Sequence, residues 1–158
     1  LFAPSCTSNE QERGLAFLMQ AAQGDHPNAL FMLGYMIFEN AQNDSEVSDA
    51  LKYLEKSSKL GHHPAMTYLG SVLLNKANTI REKRKALNLL KTAALAGSDD
   101  AVQTLYHIYA YGLYGEKKSL CIADFWFALT FKKDTFVNSL PDAKISGCIN
   151  GEQVTVME

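Results

Sequence analysis

The chain has 158 residues, 47% of them hydrophobic and 20% charged, a balance that excludes a disordered or collagen-like chain. Fifteen Lys and Arg against seventeen Asp and Glu leave a net charge of -2, so no global positive field draws in phosphate backbones, and nucleic acid is not an expected partner. The longest near-apolar run, Ala29 to Phe38, is half of the roughly 20 residues needed to cross a bilayer, so no transmembrane helix is expected.

Residues 1–8 read as an N-terminal extension. Its Leu1-Phe2-Ala3-Pro4-Ser5-Cys6 is faintly like the end of a lipoprotein signal, a match that Pro4 spoils. Apolar residues at three- and four-residue steps then predict helices over 9–23, 27–40, 46–60, 64–77, 81–96, 100–111 and 121–133. Thr7-x-x-Glu10 and Thr79-x-x-Glu82 match the capping box, in which hydroxyl and carboxylate satisfy orphan amides at a helix start. His26-Pro27 and His63-Pro64 open second helices with proline at the first helical position, where a missing amide costs nothing. Gly61 and Gly97 precede such starts, as residues that end a helix in a left-handed turn do. Gly34 and Gly70 lie inside helices, where glycine costs about 1 kcal/mol relative to alanine; close approach of the paired helix is the expected gain. Tyr106 holds the same slot in the third unit and predicts a wider gap or a differently tilted helix. After Asp134 the pattern stops. Pro141 argues against a further long helix, and two β-prone runs, Lys144 to Ile149 and Glu152 to Val156, flank Asn150-Gly151, so residues 134–158 form either a hairpin or a loosely ordered tail.

The helices repeat. Leu33-Gly34, Leu69-Gly70 and Leu105-Tyr106 stand thirty-six residues apart, as do Ala29, Ala65 and Ala101, and Ala50-Leu51-Lys52-Tyr53-Leu54 recurs as Ala86-Leu87-Asn88-Leu89-Leu90. A period in the range of roughly 20 to 50 residues signals a solenoid. The expected fold is therefore all-α: a superhelical solenoid of about three and a half helical hairpins over 9–133, followed by a short non-repeat tail.

These residues resemble the Sel-one-like repeat family, a relative of the tetratricopeptide repeat. Its pattern is Ala-x-x-aromatic in the first helix, an alanine pair and a glycine, then Ala-x-x-x-Leu-Gly in the second. Here it stands as Ala50-x-x-Tyr53, Ser57-Ser58, Gly61 and Ala65-x-x-x-Leu69-Gly70; then as Ala86, Ala93-Ala94, Gly97, Ala101 and Leu105. The first copy has Phe17, Ala21-Ala22, Gly24, Ala29 and Leu33-Gly34, Ala123-x-x-Trp126 opens a truncated fourth, and Tyr109-x-x-Gly112-x-x-Gly115 resembles the family's loop between units. Ser57-Ser58 departs from the alanine pair, and Gly24 is displaced by one residue. The resemblance implies a right-handed superhelix and protein–protein scaffolding or adaptor work, in bacterial envelope, secretion or host-interaction systems and in eukaryotic membrane-associated complexes, with no single partner; no cofactor is expected.

The chemistry-bearing residues do not assemble into a catalytic set. His26 and His63 precede helix-starting prolines and read as turn or cap residues, while adjacent His62 and His63 lack a third ligand for zinc. Gly112 to Ser119 superficially resembles a phosphate loop, but its glycines are wrongly spaced and no Lys follows the second. Cys6, Cys121 and Cys148 are too few for a disulfide scaffold and read as structural thiols, with a bridge between Cys121 and Cys148 as the pairing to test in an oxidising compartment. Arg81, Lys83, Arg84 and Lys85 read as a solvated helix start or an acidic-partner contact. Phe125, Trp126, Phe127, Phe131 and Phe136 read as core or end cap, or as an exposed docking patch. The expected function is a non-catalytic scaffold that binds a protein or peptide on the concave face lined by first helices, through Lys52 and Asn88, and Lys56 and Thr92, which occupy equivalent slots. The alternatives are a spacer docked through the aromatic end and a small hydrolase or metal-dependent enzyme on a helical scaffold, for which no convergent acid, base and nucleophile set is present.

Overall fold

The computed structural model describes residues 8–131, 146–149 and 152–155. Among the described residues seven α-helices follow one another: α1 (Ser8–Gln23), α2 (Pro27–Asn40), α3 (Asp44–Lys59), α4 (His63–Lys76), α5 (Ile80–Leu95), α6 (Asp99–Tyr111) and α7 (Leu120–Phe131). Their ends fall within two residues of those predicted from apolar spacing. Pro27 is the first residue of α2, as expected, whereas α4 begins one residue early at His63 and carries Pro64 second. In the tail, β1 (Ser146–Ile149) pairs antiparallel with β2 (Glu152–Thr155), Ile149 opposite Glu152 and Ser146 opposite Thr155, and β1 lies beside α7. Thr7 and its capping box, Cys6, Phe136 and the side chains of Phe131 and Cys148 lie outside the described residues. Contacts divide the chain into two compact units, the first ending at Ala65 and the second starting at Met66.

The first unit is built on small residues. Ala22, Ala29, Leu30 and Leu33 form a buried cluster, against which Leu18, Ile37 and Tyr53 pack. A Cβ added to Gly34 would lie 2.9 Å from Leu54 Cγ and 3.0 Å from the Ala50 carbonyl oxygen, so α2 and α3 approach more closely than any side chain allows. The helix that approaches is thus the first of the following repeat, not the hairpin mate that the sequence suggested. Ser57 is fully buried where the other copies have Ala21 and Ala93, and its hydroxyl donates to the Pro27 carbonyl at 2.7 Å, satisfying an otherwise costly buried polar group. Asp25 (φ 60°) occupies the left-handed turn position held one and two periods later by Gly61 (φ 83°) and Gly97 (φ 94°). Gly24 therefore precedes the turn residue, and Asp25 adopts a conformation open to aspartate more readily than to most side chains.

In the second unit the close approach recurs: a Cβ on Gly70 would lie 2.9 Å from Leu90 Cγ on α5. Tyr106 takes that slot on α6 and is half-buried, its ring centroid 5.7 Å from that of Phe127 on α7. The start of α5 is the expected capping box. Thr79 Oγ1 accepts from the Glu82 amide at 3.2 Å, while the Glu82 carboxylate accepts from the Thr79 amide at 3.1 Å and the Asn78 amide at 2.9 Å. Leu87, Leu90, Val102, Leu105, Ile108 and Trp126 lead the buried core. Gly112 ends α6 in the left-handed conformation (φ 68°), and the chain then folds back through a single three-ten turn at Leu113–Gly115 until the Ser119 amide donates to the Tyr109 carbonyl at 2.8 Å.

Candidate functional site

A first helix that buries its small residues must turn its long polar ones outward. On α3, Ala50, Leu54, Ser57 and Ser58 are buried and Lys52 and Lys56 are exposed. Neither lysine stands alone. Lys52 Nζ lies 2.7 Å from Asp49 Oδ1, whose hydrogen bond and charge hold the ammonium above its ordinary pKa, and Lys56 pairs with Asp25. Beside them Ile37, Glu46, Asp49, Lys52 and Tyr53 line an open depression of about 420 Å³.

On α5 the same logic buries Ala86, Leu87, Leu90, Ala93 and Ala94 and exposes Asn88 and Thr92. Thr92 Oγ1 donates to the Asn88 carbonyl at 2.8 Å, which leaves the Asn88 amide group as the outward hydrogen-bonding element of the pair. Asn88 and Thr92 share a depression of about 430 Å³ with Arg81, Arg84, Lys85 and Leu89, so residues of the basic run and the predicted contacts meet on one helix face. Lys52 and Lys56 thus lie on α3 of the first unit, and their counterparts Asn88 and Thr92 on α5 of the second. The spacing of Asp49 and Lys52 on a helix was a readable signal for their ion pair; the pairing of Lys56 with Asp25 was not, because it depends on the turn between α1 and α2.

The remaining candidates are placed as follows. His26 sits at the N-cap of α2 without a side-chain capping bond. The His62 ring is 5.2 Å from that of Phe31, its buried Nδ1 has no hydrogen-bond partner, and burial pushes its pKa down, with His63 and His26 adding to the effect. Among the described residues no group of three His, Cys, Asp or Glu is placed to hold a metal ion. Cys121 is exposed at the start of α7. Trp126 is core, Phe125 packs against it, and Phe127 is 46% exposed. No described helix is long and apolar enough to cross a membrane.

No family model matches the chain, and neither does any curated protein. Among solved structures it is similar to a Sel1 repeat protein from Oxalobacter formigenes, with a TM-score of 0.65 and 20% sequence identity over 77% of this chain and 49% of that one. The chain thus spans about half the length of that protein. The likeness establishes the fold as an all-α solenoid of Sel1-type helical hairpins.

Proposed function

We propose that the chain is a non-catalytic protein–protein interaction scaffold whose first helices present a polar face to a partner protein or peptide, with Lys52 and Lys56 on α3 and Asn88 and Thr92 on α5 as contacts. The observation that carries this reading is the division of labour along α3 and α5: small buried residues fix the packing, and exposed polar residues recur in equivalent slots. Repeat folds of this kind offer extended, preformed binding surfaces, so affinity comes from shape and a few anchors, with no bond made or broken. The ion pairs to Asp49 and Asp25 hold both lysines in place, and exposed pairs of this type are weak enough for a partner's carboxylate or carbonyl to compete with. Affinity capture from the native lysate tests the reading. Immobilised wild-type protein is expected to recover a specific protein that Lys52→Glu/Lys56→Glu, with unchanged helical circular dichroism, does not; equal recovery by both removes α3 from the contact.

A spacer docked through its C-terminal end is the second reading, favoured by exposed Phe127 beside half-buried Tyr106. It predicts loss of recovery in Phe127→Ser and none in the lysine double variant.

A further inference from the structure

The second unit contains a cleft of about 620 Å³ between α5, α7 and the loop of residues 112–119. Its rim carries four cations, Arg84 and Lys91 from α5 and Lys117 and Lys118 from the loop, against a single carboxylate, Glu116. Among the described residues none of these four cations has a carboxylate within ion-pair distance, in contrast to Lys52 and Lys56 of the first unit. The floor is aromatic: Tyr109 and Trp126 line it, each only 5% exposed, and Lys91 Nζ stands 5.9 Å above the Tyr109 ring.

We propose that this cleft is a binding site for an extended acidic peptide segment of the partner. The proposal rests on the scaffold reading and names the chemistry that one surface of it selects. Arg84, Asn88 and Lys91 share one face of α5, and the outer two stand about 10 Å apart along the axis at about 1.5 Å per residue. An extended chain advances about 3.3 Å per residue and turns alternate side chains to one face, so carboxylates two or four residues apart, about 7 or 13 Å, bracket the two cations while the Asn88 amide faces the peptide backbone between them. The opposite wall is fixed by the turn at Gly112. A Cβ there would lie 3.1 Å from the Lys118 amide nitrogen, and only glycine lets the loop fold back this tightly and bring Lys117 and Lys118 across from α5.

Charge complementarity selects the occupant. Up to Ala65 the sequence has four Lys and Arg and eight Asp and Glu, a net of -4; from Met66 on it has eleven and nine, a net of +2. The positive potential is therefore local, which suits a short acidic segment and not a nucleic-acid backbone. The rings of the floor are buried and offer no open faces on which bases stack. Cations spread over two walls do not converge on one small anion.

Fluorescence anisotropy of the full chain tests the proposal with three labelled probes: a peptide of alternating Glu and Ala, its counterpart with Gln for every Glu, and oligouridylate. The Glu peptide is expected to bind, to weaken with added salt, and to lose at least about tenfold in affinity to Arg84→Glu/Lys118→Glu but not to Lys59→Glu on α3. The milder Lys117→Gln/Lys118→Gln, confined to the exposed loop, is expected to give an intermediate loss that cannot be ascribed to unfolding. Equal binding of the Gln peptide, preferential binding of oligouridylate, or no binding of the Glu peptide overturns the proposal. So does self-association in sedimentation that Arg84→Glu/Lys118→Glu abolishes, which would give the cleft to a second copy's acidic half. Lysate recovery that survives Arg84→Glu/Lys118→Glu but is lost in Lys52→Glu/Lys56→Glu overturns the acidic cleft while leaving the scaffold reading standing.

Discussion

At the scale of single residues, glycine has opposite meanings at two places in this chain. The position of Gly34 is dictated by α3: any Cβ there falls 2.9 to 3.1 Å from Leu54 and Ala50 atoms, two of the three being backbone atoms that no rotamer change can clear. Gly14, inside α1, has nothing within 4 Å of the same construction. Gly34→Ala is therefore expected to destabilise, because overpacking of about 1–3 kcal/mol outweighs the roughly 1 kcal/mol gained in helix propensity. Gly14→Ala keeps only the propensity term and is expected to stabilise by about 1 kcal/mol. Denaturant midpoints of the two variants, measured at a common slope, should move in opposite directions; a shift of the same sign in both would mean that α2 and α3 can separate without loss.

At the scale of elements, the start of α5 links sequence, geometry and pH. Glu82 accepts backbone amides of Asn78 and Thr79 and the pair closes a capping box, so its carboxylate titrates below its ordinary value of 4.5, held there first by the Asn78 amide and then by Thr79. The folded pKa is depressed, so the stabilisation is fully present above the unfolded value and is lost as pH falls through the folded one. Thr79→Ala is expected to cost about 1 kcal/mol at neutral pH, and Glu82→Gln to flatten the stability profile below about pH 4.5; a wild-type profile with the same acid slope as Glu82→Gln would remove the carboxylate from the cap. This box was legible in four residues because all its partners are local. The helices and repeat register were legible for the same reason, as were the left-handed Gly61 and Gly97. What the sequence hid was tertiary. Gly34 announced a close approach but not that α3 supplies it, and Asp25 could replace a turn glycine because aspartate tolerates that conformation. The lysines of the 112–119 loop read as a failed phosphate loop until the turn at Gly112 set them opposite Arg84. Phe17 matches the repeat's aromatic position yet is 65% exposed: Tyr53 and Trp126 pack against the helices before them, and no described helix precedes α1.

At the scale of the whole chain, burial is as uneven as charge. Among the described residues, one buried cluster in the second unit joins fourteen residues from α4 to α7, Leu90 and Leu105 among them, while one in the first unit joins four, Ala22, Ala29, Leu30 and Leu33, beside buried Ala50 and Leu54 on α3. Repeat folds gain their stability from intrinsic terms and nearest neighbours, so an uneven core produces uneven local stability. Amide hydrogen exchange is expected to be slowest in α5 and α6, intermediate in α2 and α3, and fastest in α1, where nearly every described side chain is exposed. Leu105→Ala, at a fully buried site, should cost about 2–5 kcal/mol and speed exchange across α5 to α7. Leu30→Ala, 1% exposed, should act within α2 and α3 and leave α5 and α6 protected. The basic cleft would then stand on the most stable part of the chain, which is what a preformed site requires, since a wall that opens before its ligand arrives loses affinity in proportion to the closed population. Uniform protection in both halves, or a loss in α6 on Leu30→Ala equal to that in α2, would mean that the chain unfolds as one cooperative body and that the cleft draws no advantage from its position.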